Sequence, residues 1–263
     1  MTTSTPDSVT CHTDERGVVS LVLNRPDAFN ALSSQVMQAL QNHLDQVAQN
    51  PQARVVVLSA QGKAFCAGHD LREMRASPSL AYYQALFHQC SEMMMRLQRL
   101  PIPVIAVVNG IATAAGCQLV AMCDLAVSST ASKFAVSGIN LGLFCSTPSV
   151  ALSRNVARKA AFEMLITGDF ITAEQALSKG LVNAVVSPDQ LDHETERYVN
   201  SILAKPRTAV AIGKKLFYEQ LEQPLDAAYQ NAEHAMACNM MDEAALEGVQ
   251  AYIDKRAPSW KTR

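Results

Sequence analysis

An α/β fold with a helical C-terminal region is what this sequence predicts, and three observations carry the prediction. Short runs of β-branched and aliphatic residues, of the kind buried on both faces of a parallel sheet, alternate with amphipathic helical patterns through the first half. Two such runs pass into segments of small residues that open a helix. From Pro148 onward the pattern is almost wholly helical. The 263 residues, 49% hydrophobic, suffice for one large core, and no repeat, low-complexity tract or flexible linker divides them.

Taken in order, residues 18–23 read as a strand, and Ser33 caps a helix whose apolar positions Val36, Met37, Leu40, Leu44 and Val47 return at helical spacing until Pro51 closes it. The apolar run 54–59 implies parallel neighbours joined by crossover helices. A helix over 80–100, whose Met93, Met94 and Met95 read as core, leads through Pro101 and Pro103 into a strand at 104–108. Another strand follows at 124–127, with Asp124 at its start. Asp70 reads as the cap of the helix that holds Leu71 and Met74, and Ser146 and Thr147 as caps of a helix opened by Pro148. Later helices stop at Gly168 and Gly180, an apolar piece spans 181–186, and Pro188, Pro206 and Pro224 stand where first helical turns begin.

Composition excludes several function classes. Lys plus Arg total 22 against 24 for Asp plus Glu, so neither nucleic acid nor an anionic membrane finds an electrostatic footprint. The seven cysteines are scattered and form no C-x-x-C pair, which predicts reduced thiols and no metal site. No apolar run approaches the roughly 20 residues that span a bilayer. The first residues show neither a signal nor a transit peptide, so the expected location is the cytoplasm, or the mitochondrial matrix if a leader has been removed. The sequence also lacks the G-x-S-x-G elbow of serine hydrolases, the Walker loop and the H-E-x-x-H zinc motif.

The chemistry resides in the two small-residue segments, Phe65-Cys66-Ala67-Gly68-His69-Asp70-Leu71 and Asn109-Gly110-Ile111-Ala112-Thr113-Ala114-Ala115-Gly116-Cys117-Gln118-Leu119. Each reads as a strand ending in small residues at a helix start, where unpaired backbone N–H groups can face a developing oxyanion. Two such loops point to acyl chemistry.

These loops, with Asn24-Arg25-Pro26-Asp27-Ala28-Phe29-Asn30-Ala31-Leu32, Thr172-Ala173-Glu174-Gln175-Ala176 and Gly180-Leu181-Val182, resemble the crotonase, or enoyl-CoA hydratase/isomerase, superfamily over nearly the whole chain. Gly142-Leu143-Phe144-Cys145-Ser146-Thr147-Pro148 is similar to the enoyl-CoA hydratase domain-containing protein 3 group. The resemblance implies a crotonase-like spiral of ββα units over 1–195 and a C-terminal helical trimerisation region over 196–263. It also implies homotrimers or pairs of trimers. The substrate would be a coenzyme A thioester, with no prosthetic cofactor, its carbonyl oxygen between the amides of Ala67 and Ala115. Arg25, Ala28, Ala67, Gly68, His69, Asp70, Leu71 and Lys255 would contact the coenzyme; Arg25 and the Lys255-Arg256 pair read equally as solvated charge. Ala115 replaces the family's usual glycine, which narrows the backbone conformations open there.

The same resemblance places the family's two catalytic glutamates at Gln118 and Gly138, neither of which moves a proton, so ordinary hydration should be severely impaired. His69 is the first replacement candidate, with an unperturbed pKa near 6.5; it reads equally as a loop histidine beside the pantetheine arm or a helix cap. Cys145 offers a thiol proton or a shaped apolar wall, and Gln118 an amide that orients water or hydrogen-bonds a substrate carboxylate, or equally a polar pocket wall. Three functions stay open: a hydratase or isomerase using His69 and water, a decarboxylase of malonyl-type thioesters that needs only an oxyanion site and a proton, and a non-catalytic acyl-CoA-binding protein. The RNA binding known within the superfamily is disfavoured by the charge balance.

Overall fold

The computed structural model describes residues 7–261 and shows a spiral built by repetition. An antiparallel pair, β1 (Val9–Thr13) and β2 (Val18–Leu23), is followed by α1 (Ser34–Gln49). Three units then repeat one order of strand, short strand and helix: β3 (Val55–Ala60), β4 (Ala64–Cys66) with α2 (Leu71–Ala76) and α3 (Leu80–Arg99); β5 (Val104–Val108), β6 (Ile111–Thr113) and α4 (Ala115–Met122); β7 (Leu125–Ser129), β8 (Lys133–Ala135) and α5 (Ser146–Asn155). The remainder comprises α6 (Arg158–Thr167), β9 (Ile171–Thr172), α7 (Ala173–Ser178), β10 (Ala184–Val186), α8 (Leu191–Leu203), α9 (Arg207–Leu221), α10 (Leu225–Met240) and α11 (Glu243–Ile253).

Two sheets result, because each unit adds one strand to both. The longer strands form the order β1-β2-β3-β5-β7-β10 and the shorter ones β4-β6-β8-β9. From β2 to β10 the first sheet is parallel, as are β4, β6 and β8 in the second. The oxyanion-type loops therefore follow the short strands β4 and β6, not the long β-branched runs that precede them in the sequence pattern. Three-residue strands carry too little periodicity to be read.

Both faces of the six-stranded sheet are covered. Val36, Met37, Leu40 and Leu44 of α1 and Met93, Met94 and Leu97 of α3 bury against one face with Val19, Leu21, Val56 and Leu58. On the other face Leu191 and Val199 of α8 pack on Val18, Val55, Ile105 and Val127. Alternate residues of each strand thus point into two different apolar layers, which is why the strands read as continuous hydrophobic runs. Residue 195, where the sequence suggests a division, falls inside α8, whose Leu191 and Val199 pack on the sheet. Burial pushes the Cys66, Cys90 and Cys117 thiols up to about 12, as suits small apolar filler.

Some helix starts follow the local chemistry that the sequence announces, and others do not. The Ser33 hydroxyl accepts from Val36 N–H, and the Asp70 carboxylate from the Arg72 and Glu73 N–H groups. Pro206 and Pro224 occupy the capping positions of α9 and α10, one residue before the first turn. Ser146 and Thr147 do not cap α5: it starts at Ser146, takes Cys145 as its N-cap without any side-chain bond, and contains Pro148 as its third residue. Proline is tolerated there because first-turn N–H groups have no intrahelical acceptor.

One buried polar node joins α9 to the sheet. Lys214 Nζ donates to Asp124 Oδ2 at 2.6 Å, to Leu97 O at 2.9 Å and to Ile102 O at 3.0 Å. Val104 N–H and the Tyr218 hydroxyl complete the Asp124 carboxylate at 2.6 and 2.8 Å. Burial and the neighbouring carboxylate drive the Tyr218 phenol above its ordinary pKa, so it stays a donor. Asp124 does mark the start of β7, and its carboxylate also anchors the C-terminal helices. At the far end Trp260 lies on Gly248 of α11, where any Cβ would come within 2.7 Å of the indole. Replacing Lys214 with Met should cost about 3–5 kcal/mol in urea unfolding, because it strands a buried carboxylate; a loss below about 1 kcal/mol, the range of exposed pairs, would show the node to be solvated.

Candidate active site

The two loops after β4 and β6 meet at the mouth of a cavity of 710 Å³. Their approach is set by glycines. A Cβ at Gly116 would lie 2.1 Å from Cys66 O, and one at Gly68, where φ is +90°, would lie 2.9 Å from the Ala114 Cβ and 3.2 Å from Ala115 N. Only hydrogen side chains let one loop rest on the other. The strained residue is Ala114, at φ +51° and ψ −122°, while Ala115 begins the helix. The conformational cost expected at Ala115 therefore falls one residue earlier, an unfavourable dihedral of the kind that persists at functional sites.

Backbone pairing decides which amides are available. The segment 29–32 runs beside 67–70, with Ala67 N–H donating to Phe29 O at 3.0 Å, Leu32 N–H to Gly68 O at 2.8 Å and Asp70 N–H to Leu32 O at 3.3 Å. Ala67 N–H, expected as an oxyanion donor, is thus already engaged. The amides of His69 and Ala115 have no acceptor among the described residues, and both residues line the cavity. Segment 29–32 is held by Asn30, whose side chain accepts from Arg25 N–H at 2.8 Å and donates to Gln61 O and Ala64 O, each at 2.8 Å. The sequence motif contained Asn30, but its role as a clamp appears only when its three partners converge.

Of the site residues the sequence suggests, Arg25, Ala28, Ala67, His69, Asp70, Leu71, Ala115 and Cys145 line the cavity; Gly68, Gln118 and Lys255 do not. Gly68 is covered by the Ala114 turn, Gln118 lies one helical turn beyond Ala115, and Lys255 is exposed after α11 at φ +54°. Sequence reasoning missed Phe29, Met74, Phe87, Leu141, Leu143 and Phe144, which make the walls largely apolar. Met74 and Phe87 sit on amphipathic helices, where their spacing signals only burial. Among the charged residues, Arg25 bonds Ala31 O and Ser33 Oγ at 3.3 Å and pairs with Asp70 at 3.5 Å. Glu73 accepts from Ser34 N–H at 2.9 Å, and Tyr83 donates to Met74 O at 3.0 Å, so α2 is fastened on both sides.

The His69 ring stands edge-on to Phe87, 5.5 Å between centroids, and neither nitrogen has a hydrogen-bond partner. Burial lowers its pKa below 6.5, with the nearby Leu32 carbonyl and Glu73 carboxylate opposing without forming a bond, so the ring is neutral at pH 7. Asp70, not His69, caps α2. The Cys145 thiol donates to Val136 O at 3.6 Å, and burial raises its pKa, keeping it protonated. Its sulfur stands 2.7 Å from where a Cβ on Gly138 would be, as does Leu143 O. No side chain fits at 138 without moving backbone.

A model of the enoyl-CoA hydratase/isomerase family matches residues 13–263. The chain belongs to that family. The zebrafish (Danio rerio) enoyl-CoA hydratase domain-containing protein 3, mitochondrial, is 45% identical over 253 residues, 96% of this chain and 88% of that protein. The human protein of the same name is 45% identical over 244 residues, 93% of this chain and 80% of its own. Among solved structures, an enoyl-CoA hydratase from Mycobacterium smegmatis superposes with TM-score 0.96 at 61% identity, covering 97% of this chain and 99% of that one. The human domain-containing protein 3 superposes with TM-score 0.93 at 43% identity, covering 97% and 100%. The spiral of this enoyl-CoA hydratase/isomerase family member is accordingly the crotonase fold.

Two outcomes follow from the geometry. Gly138→Glu should lower stability by about 1–3 kcal/mol through overpacking against Leu143 O; an unchanged thermal midpoint would show that the 138–145 loop yields freely. For His69, the unfolded imidazole takes up a proton near pH 6.5 that the folded one refuses, so stability is full above that pH and falls below it. Urea midpoints measured from pH 8 to pH 5 should drop more steeply for the wild type than for His69→Gln, and parallel curves would contradict a buried neutral ring.

Proposed function

We propose that this protein is an acyl-CoA enzyme that holds the thioester carbonyl between the amides of His69 and Ala115 and stabilises the enolate formed there. The observation that carries the reading is a pair of unpartnered N–H groups on His69 and Ala115, two residues that line one apolar cavity from interlocked loops. A buried donor without an acceptor costs about 1–3 kcal/mol, so both amides favour a ligand oxygen. Fixed dipoles gain strength as the oxygen becomes anionic, about 3–4 kcal/mol per donor in comparable sites. On this assignment the first donor is the backbone of His69 instead of Ala67.

The family's two glutamates correspond to Gln118 and Gly138, and the space for a side chain at 138 is taken by Cys145 and the Leu143 carbonyl. Hydration through paired carboxylates is therefore not the chemistry proposed. The neutral His69 ring and the Cys145 thiol are the proton-carrying groups left at the reacting end. A specific observation favours decarboxylation of a malonyl-type thioester as a second reading: with no ionisable carboxylate at 118 or 138, a substrate carboxylate meets no repulsion from those two positions. Loss of carbon dioxide leaves the enolate on the same two amides, needing only a proton at the α-carbon.

Assembly and location belong to the same proposal. Phe217, Leu221, Leu225, Tyr229, Met236 and Tyr252 stand exposed on α9 to α11, apolar surface that a homotrimer or pair of trimers would cover. The vertebrate relatives are named mitochondrial, which supports the matrix alternative over the cytoplasm.

The test combines spectroscopy with turnover. A carbonyl-¹³C-labelled acyl-CoA bound to the protein should show its thioester C=O stretch shifted to lower frequency; an unshifted band removes the two-amide reading. In parallel, mass spectrometry of crotonyl, longer enoyl, malonyl, methylmalonyl and ethylmalonyl thioesters should show a mass change in at least one ester. Loss of that product in His69→Ala would give the imidazole a proton-handling role. A shifted band with an unchanged panel would mark a binding protein without turnover.

A further inference from the structure

We propose that Thr113 is a positioning residue for the two amides: its hydroxyl, bonded to that of Ser137, holds the strained turn at Ala114 on which their alignment depends. The inference rests on the thioester reading above. Thr113 Oγ1 and Ser137 Oγ lie 2.8 Å apart, with either hydroxyl able to donate. Both residues are half-buried, and Ser137 lines the cavity while Thr113 does not. Thr113 ends β6, and Ala114 follows it directly at φ +51° and ψ −122°. Alanine keeps such a dihedral only where its surroundings over-determine it.

The loop that bears His69 rests on this turn. A Cβ at Gly68 would lie 2.9 Å from the Ala114 Cβ, 3.1 Å from Thr113 O and 3.2 Å from Ala115 N. A rotation that relaxed Ala114 would therefore shift the surface under the His69 amide as well as the Ala115 amide itself. On the Thr113 side that rotation is opposed by pairing with β8, where Ala114 N–H donates to Ala135 O at 3.0 Å, and by the hydroxyl bond to Ser137. Ser137 is itself anchored, because the Cys145 thiol donates to Val136 O at 3.6 Å and Leu143 N–H to Gly138 O at 3.0 Å. The strain of one such dihedral and the net worth of one hydrogen bond are of the same order, so losing the bond is enough to release the turn. Thr113→Val keeps the β-branched shape and removes only the hydroxyl.

Infrared difference spectra of carbonyl-¹³C butyryl-CoA bound to the protein read amide alignment, and isothermal titration reads affinity separately. In Thr113→Val the shift of the thioester C=O band should fall to about half the wild-type value, as for two donors reduced to one. Affinity should weaken by no more than about fivefold, the worth of one neutral hydrogen bond. Thr113→Ser, which keeps the hydroxyl, should retain the wild-type shift. Ser137→Ala opens the same bond from the other side and should reproduce the Thr113→Val band, and the double variant should lose no more than either single one. Each variant is checked for a cooperative melt, and a folded Ser137→Ala carries the test if Thr113→Val unfolds. A full shift in either folded variant, an equal loss in Thr113→Ser, or additive losses in the double variant overturns the proposal. Failure of both single variants to fold also overturns it, since the bond would then hold the fold and not the site. An unshifted band in the wild type overturns the thioester reading and this inference with it.

Discussion

Everything at the cavity mouth depends on one close approach, that of the Gly116 backbone to the carbonyl of Cys66. No atom heavier than hydrogen fits between them, so the loop after β6 sits directly on the loop after β4 and the first turn of α4 is fixed against the second sheet. Because β4 and β6 are parallel neighbours, their loops leave the sheet on one side, with a shift of register between Ala64 and Cys66 just before the loops begin. The amides of His69 and Ala115 inherit their positions from that contact, which is made by backbone alone. A site built this way is insensitive to most surface substitution and intolerant of a single methyl at its hinge.

The rest of the wall is arranged to leave those amides unopposed. Asn30 commits its amide to three backbone groups to hold segment 29–32 alongside 67–70, and that pairing consumes the N–H of Ala67 while leaving that of His69. Arg25 and Asp70 neutralise one another, and Glu73 is committed to the start of α1. Arg25, Asp70 and Glu73 are thereby engaged in holding the walls, and dipoles, a neutral ring and a protonated thiol stand at the reacting end.

Much of the fold was legible because the long elements announce themselves. The helix from Ser34 and the strands at 18–23, 55–60 and 104–108 carry either five periodic apolar positions or an unbroken β-branched run, and two covered sheet faces explain the latter. Illegible were β4, β6, β8 and β9, two or three residues each, which have no period to detect. The site was half legible. Small residues at two helix starts pointed to backbone donors, but which amide is free depends on the partner of Ala67, the carbonyl of Phe29 on the far side of β3, and no local pattern records that pairing. Likewise the thiol of Cys145 and the absent side chain of Gly138 become one fact only when the 2.7 Å between them is seen.

The sequence holds one tryptophan, Trp260, and the fold lays it on Gly248 in the last turn of the chain. It does not line the 710 Å³ cavity. Intrinsic emission from this protein is therefore a gauge of how its C-terminal segment is seated on α11, and a quenched or shifted spectrum speaks of docking or fraying there. A ligand can fill the cavity without entering that signal, so a flat fluorescence titration is compatible with full occupancy and with none.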